Sequence, residues 1–318
     1  MSNIKISHSV MFHHFHGDGH PRTQGSINAA QLEAIIMWLR NNYNILAPQE
    51  YKNKVISNTI EQRDICLSFD DALLSQFDIA LPILEKKNIK AFFFIYSAPI
   101  LGEINYLEVF RYFRTTVYDD INDFYKNFFN NVSEVNKAKY LLEKKKFNEK
   151  KYLSSFPFYS FNDKWFRFLR DNFLTKISYE NIMLEMIREK GFEINNIVKK
   201  LWIEEKELLY LKKNGHTIGL HSYSHPTMIH EMTEEEQFHE YKKNLQHLEN
   251  KLGKGTIEAM SHPCGNYNKV TLSVLSKLGI RIGFLSNMGI NSIKSPLEIP
   301  REDHANILLK MDNESYNI

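Results

Sequence analysis

Two short clusters in this chain carry groups able to do chemistry together. Leu67-Ser68-Phe69-Asp70-Asp71 ends an apolar run in adjacent carboxylates, and His221-Ser222-Tyr223-Ser224-His225-Pro226 sets two imidazoles four residues apart. Adjacent carboxylates repel each other unless a cation lies beside them. One carboxylate can then bind the cation while its neighbour acts as a base. Two His and one carboxylate, with positions left open, form a recurrent catalytic metal set. Each cluster alone has a plainer reading. An Asp ahead of a helix caps it and suits its dipole, and two His in a loop can be ordinary loop residues. The pairing of the clusters is what favours a metal.

The elements that must position these groups alternate strand and helix. Residues 7–15 read as a strand centred on Val10, Met11 and Phe12, with Gly17, Gly19 and Pro21 marking a loop. Residues 29–43 read as an amphipathic helix, with Leu32, Ile35, Ile36 and Leu39 on one face and Asn28 as N-cap. A strand over 65–69, a helix over 75–87 and a buried strand over 91–96 make a parallel βαβ unit. Further on come a helix over 204–214 closed by Gly215, a strand over 216–221 and a long helix over 234–252. A strand over 258–261, a helix over 270–278 and a strand over 280–285 follow. Both clusters fall at the C-terminal ends of strands, where α/β barrels display catalytic groups.

The middle differs, being rich in Phe, Tyr, Asn and Lys with almost no glycine. Phe110, Phe113 and Val117, then Phe124, Phe128 and Phe129, suggest helices with aromatic faces. The stretch reads as a helical insertion, its aromatic faces packing as core against the barrel or in part covering the site. The expected organisation is barrel over 1–104, insertion over 105–202 and barrel over 203–318.

LSFDD followed by GHTIGLHSYSH resembles the polysaccharide deacetylase family (NodB-homology domain, carbohydrate esterase family four), whose patterns are T/S-F-D-D-G and H-S/T-x-x-H. The resemblance spans residues 4–104 and 203–303. It implies an α/β fold, a distorted and incomplete (β/α) barrel, here with a long helical insertion. It implies that Asp70 is the base acting on a metal-bound water, and that Asp71, His221 and His225 bind the metal, usually zinc though other divalent ions occur. A divalent cation lowers the pKa of its water and polarises the acetyl carbonyl, and a backbone N–H completes the oxyanion site.

A third family pattern, R-x-P-[FY]-G, resembles Ser261-His262-Pro263-Cys264-Gly265, followed by Asn266-Tyr267-Asn268. Ser261 stands where the family's Arg braces the base, which puts the tuning of Asp70 in question. Cys264 replaces the aromatic. Its backbone N–H can serve the oxyanion, and its thiol is either a ligand or a small buried side chain. Gly265 and Tyr267 match the pattern, and His262 is a candidate extra ligand or acid. Ala72 replaces the usual Gly after the two Asp. The sequence Ile299-Pro300-Arg301-Glu302-Asp303-His304 offers Arg301 as the replacement brace and His304 as the acid for the leaving amine. Phe12-His13 resembles the Tyr-His pair on the family's first strand. In a strand His13 faces one way and His14 and His16 the other, so the sequence leaves open which of the three nears the site.

The whole-chain balance is only +2, from 40 basic and 38 acidic residues among 318. That gives no general argument for nucleic acid or an anionic surface. No run of about 20 apolar residues is present, so no membrane span is expected. Two cysteines far apart argue against a disulfide framework, and the start reads without an export signal. The expected setting is the cytoplasm, and the expected substrate a small or oligomeric amino sugar, in a surface-glycan, nucleotide-linked or lipid-linked precursor. The competing readings are hydrolysis of another acyl or amide group, such as a formamide or cyclic amide, and a degenerate member that only binds carbohydrate.

Overall fold

The structure is a computed structural model that describes residues 9–154, 156, 158–286 and 292–315. The start of the strand expected from residue 7 lies outside them. The chain divides into two compact units, one running up to Glu103 and resuming at Lys200, the other Ile104–Lys199.

The first unit is built on parallel strands. They are β1 (Ser9–Phe12), β2 (Asn44–Ile45), β3 (Asp64–Asp70), β4 (Phe92–Ile95), β5 (Thr217–Leu220), β6 (Ala259–Ser261), β7 (Ile282–Phe284) and β8 (Glu302–Asp303). They run in the order β7-β6-β5-β4-β3-β1-β8, with β2 beside the start of β3, and every pairing is parallel. With its helices this curved sheet is an α/β incomplete barrel. Residues 299–303 span its two ends. Ile299 exchanges backbone hydrogen bonds with Gly283 and Leu285 beside β7, and β8 pairs with β1 three residues on.

Alternation along the strands sorts side chains to the two faces. Cys66 of β3, Phe92 and Phe94 of β4, Ala259 of β6, and Ile282 and Phe284 of β7 form a buried interior cluster with Ile299. The helix Pro48–Ile56, which the sequence reading missed, adds Tyr51 and Val55 to that cluster. The other face carries Phe12, Phe69 and Phe93, in register on three adjacent strands and stacked at 5.1 and 4.8 Å. Gly219 is needed where it stands, because a Cβ would lie 2.6 Å from the Ala259 carbonyl and 2.7 Å from the Phe94 ring.

Helix ends follow local chemistry. Asn28 and Gln31 form a capping box on Ala29–Asn42, and Thr233 and Glu236 do so on Glu234–Leu252. The helix expected over 75–87 is divided into a π turn, Gln76–Ala80, and an α-helix, Leu81–Lys86. Pro82 has no N–H to donate, and the Leu81 N–H reaches back five residues to Gln76. The helix His304–Ser315 was also not read from the sequence.

The second unit contains the helices Tyr106–Thr116, Ile121–Val135, Lys137–Lys146, Phe161–Phe168 and Lys176–Glu189. The aromatic faces pack on one another. Phe128 meets Phe166 at 4.9 Å and Tyr179 at 6.1 Å, and Phe110 meets Tyr179 at 5.6 Å. Tyr125 is buried where the sequence reading placed Phe129, which is only half-buried.

One buried imidazole gives the first unit an acid sensitivity. The Ala91 N–H donates to His216 Nδ1 at 3.2 Å, which places the ring proton on Nε2. Burial first, then the Lys90 charge, pushes the His216 pKa down to about 4. The unfolded chain therefore takes up a proton near pH 6.5 that the folded chain refuses until about pH 4. Stability is expected to fall through that window, by about 3 kcal/mol from this residue. Urea midpoints at pH 7 and 5 should converge in His216→Asn relative to wild type, and an unchanged difference would assign the acid sensitivity elsewhere.

Candidate active site

The turn after β3 separates the two carboxylates. Asp71 and Ala72 both take left-handed backbone conformations, with φ of 78° and 55°. Such consecutive non-glycine positions are strained and persist only where surrounding structure enforces them. Here the Ala72 carbonyl accepts from the Ile203 N–H. Gln76, almost fully buried, donates from its side-chain amide to the carbonyls of His13 and Asp70, joining the ends of β1 and β3.

Asp71 points towards two imidazoles. His221 Nε2 lies 3.2 Å and His225 Nε2 3.4 Å from Asp71 Oδ1. One ligand atom from each of the three residues lies within 4.8 Å of the others. His221 Nδ1 is 2.8 Å from the Ser261 carbonyl. A carbonyl only accepts, so the ring proton sits on Nδ1 and the Nε2 lone pair faces Asp71. Asp71 Oδ1 is buried and has no hydrogen-bond partner. Asp71 Oδ1, the His221 lone pair and His225 Nε2 thus converge, and a buried unpartnered carboxylate oxygen is costly. A divalent cation fits this donor set, and its ligand types are those of open zinc sites.

Asp70 points elsewhere, into a salt bridge. Arg301 is fully buried and grips both Asp70 oxygens, Nη1 to Oδ1 at 2.7 Å and Nη2 to Oδ2 at 2.6 Å. The same guanidinium donates to Ser68 Oγ at 3.0 Å, Ser261 Oγ at 2.7 Å and the Leu285 carbonyl at 2.7 Å. Its position follows from the span over 299–303, which turns Arg301 inwards between the two sheet ends. Burial alone would raise the Asp70 pKa. The charge and hydrogen bonds of Arg301 lead the interactions that outweigh it, and the group is held at about 2.

Ser261 joins the two halves of the site. Its hydroxyl donates to Asp70 Oδ2 at 3.0 Å while accepting from Arg301, and its carbonyl orients His221. A small hydroxyl at this position therefore coexists with a brace that arrives from residue 301.

The segment carrying the imidazoles is held by the helix Glu234–Leu252. Glu240 accepts from the Tyr223 and Ser224 N–H groups at 3.0 and 2.9 Å and from Ser224 Oγ at 2.9 Å. Asn244, fully buried, accepts from the His221 N–H at 3.1 Å and donates to the Ile95 carbonyl and Ser97 Oγ. The sequence reading missed Ser68, Gln76, Glu240 and Asn244. The i, i+4 spacing of Glu240 and Asn244 on one helix face was the available signal. Asn244→Ala is expected to cost about 2–4 kcal/mol by leaving buried partners unsatisfied. A urea midpoint within error of wild type would refute this.

Of the three N-terminal imidazoles, His13 is the one brought near, with Nε2 3.9 Å from Asp70 Oδ2. His16 instead pairs with Ser26. His262 is fully buried, with Nε2 donating to the Leu297 carbonyl at 2.9 Å and its ring 4.7 Å from that of Tyr267. Burial pushes its pKa down to about 4. Neither His262 nor Cys264 joins the Asp71, His221 and His225 group. Cys264 is exposed, contrary to the expectation of a buried side chain, and takes φ 52°. Gly265, with φ +69°, admits no side chain, since a Cβ would meet Ser286 Oγ at 2.2 Å. Tyr267 donates to Glu298 at 2.9 Å. Asn266 donates to the Thr227 carbonyl and Asn268 to that of His230, which ties this turn to the segment after His225.

His304 does not reach the cluster. It stacks on Phe12 at 5.7 Å, on the face opposite Asp70, and its Nε2 donates to the Gly25 carbonyl. The expectation that it serves as the acid is thereby withdrawn.

Residues 173–283 match the polysaccharide deacetylase family model, a range that contains His221 and His225 and leaves Asp70 and Asp71 outside. No curated protein matches the chain. Among solved structures, the fold is similar to the Streptococcus pyogenes deacetylase PplD in complex with acetate, at 16% identity and TM-score 0.54, covering 97% of this chain and 98% of that one. It is also similar to IcaB from Ammonifex degensii, at 13% identity and TM-score 0.55, covering 93% and 91%. A third similar structure is the BpsB deacetylase domain from Bordetella bronchiseptica, at 12% identity and TM-score 0.52, covering 94% and 96%. The matched segment and the shared incomplete barrel make the chain similar to polysaccharide deacetylases, in one segment by sequence and over nearly its whole length by fold.

Proposed function

We propose that the protein hydrolyses the N-acetyl group of an amino sugar, with a divalent metal held by Asp71, His221 and His225 and with Asp70 as the base. The observation that carries this is the division of labour between adjacent carboxylates. One faces the Nε2 atoms of two imidazoles and the other is gripped by Arg301. A divalent cation such as zinc, when bound, would polarise the acetyl carbonyl and acidify water. Asp70, kept ionised by Arg301, accepts the proton of the attacking water. That same proton is then available to the leaving amine. Arg301 and the Ser261 hydroxyl fix the carboxylate plane, so the base is oriented before substrate arrives. The departures at Ser261 and Ala72 are the ground for the degenerate reading, and the bidentate Arg301 contact supports the active one.

The substrate class is proposed to be an amino sugar within a surface-glycan, nucleotide-linked or lipid-linked precursor. Acetate release from free, nucleotide-linked and oligomeric N-acetyl sugars tests this, with wild type and Asp70→Asn assayed at equal metal content. Acetate from any panel member, lost in Asp70→Asn, is the expected result. Metal bound without acetate from any of them would reject the reading.

A further inference from the structure

The near-neutral balance of the whole chain conceals one strongly basic face in the second unit. The helix Lys137–Lys146 reads KAKYLLEKKK, with five lysines and one acid. Lys150 and Lys151 follow, against Glu149. Among the described residues only Lys146 of the helix's five lysines is ion-paired, with Glu143.

The helix also presents its apolar residues outwards. Tyr140 is its buried residue. Ala138, Leu141, Leu142 and Lys145 fall at i, i+3, i+4 and i+7 on the side away from Tyr140 and are exposed. Leu141 is 49% and Leu142 51% exposed, and Val135, the last residue of the preceding helix, is 61% exposed. Adjacent leucines left in water and ringed by lysines are an unusual surface. At the end of the helix lies a cavity of about 440 Å³ lined by Phe147, Tyr152 and Phe168, with Lys146 and Lys151 among its other lining residues.

We infer that this face docks on an anionic phospholipid surface. The lysines match the charge of the headgroups, the two leucines reach the acyl boundary, and the aromatic cavity lies where interfacial aromatic side chains settle. A nucleic acid would use the lysines and leave the leucines in water. A second copy of this chain would set like charges against each other. The inference does not rest on the deacetylase reading.

The test is sedimentation of the full chain with phosphatidylcholine vesicles, with and without phosphatidylglycerol, at low and high salt. Binding is expected only with phosphatidylglycerol and is expected to weaken with salt. Replacing Lys144, Lys145 and Lys146 together with Gln should weaken it on the order of 100-fold. Leu141→Ser with Leu142→Ser should remove the part that survives high salt. These side chains are exposed, so melting temperatures should match wild type. The salt and lipid dependence of the wild type tests the proposal independently of any variant. Equal affinity for both vesicle types, or no vesicle binding, would overturn it. So would binding of DNA or an acidic peptide, unaffected by the leucine changes, in place of vesicle binding.

Discussion

Replacing Arg301 with Met is expected to cost the fold about 3–5 kcal/mol, because it strands a buried carboxylate. Asp70 is only 2% exposed, and both its oxygens rest on the guanidinium. Without Arg301, burial becomes the dominant influence on that carboxyl and drives its pKa up from about 2. The acid limb of the pH–rate profile should therefore move to higher pH, and turnover should fall by at least about 100-fold as the proposed base loses its fixed orientation. An Arg acting independently of Asp70 would predict additive losses. The double variant Asp70→Asn/Arg301→Met should instead be less destabilised than the two single losses together, by about 2 kcal/mol or more in urea unfolding. Additivity within error would show that the pair does not act as a unit.

The second large effect concerns Asp71 and separates metal binding from folding. Zinc at about 100 times its dissociation constant should stabilise wild type by about 2.7 kcal/mol. That corresponds to a rise in melting temperature of roughly 2–4 °C per kcal/mol for a chain of this size class. In Asp71→Asn the response should vanish. The metal-free variant should not be weaker than metal-free wild type, because the amide can donate to an imidazole lone pair where the carboxylate oxygen had no partner. Opposite signs in the two conditions are the signature of a ligand. A zinc response retained in Asp71→Asn would remove this residue from the metal set.

Much of the scaffold was legible because it depends on local pattern. The helix Glu234–Leu252 falls where the sequence reading placed it. Apolar runs marked β3, β4 and β5, and the two motifs sit at the C-terminal ends of β3 and β5. What escaped was set by partners distant in sequence. The role of Gln76 depends on carbonyls at His13 and Asp70, and that of Asn244 on Ile95 and Ser97. No spacing along one strand or helix reveals such acceptors. His304 illustrates the reverse error. Its place in a short motif suggested chemistry, yet the two-residue β8 leads into a helix whose first residue stacks on Phe12 across the sheet from Asp70.

The span over residues 299–303 sets an order of events for a chain made from its N-terminus. Asp70 is synthesised early, and its counterion comes 231 residues later. Until Arg301 leaves the ribosome, the interior end of β3 holds a carboxylate that must remain hydrated or protonated. The barrel interior around Asp70 therefore cannot dry until the chain has been made through residue 301. Closure is a late, long-range step of the kind that slows folding. Chains stalled or clipped before residue 301 would keep that end of the barrel wet, open to proteases and with the proposed base unbraced.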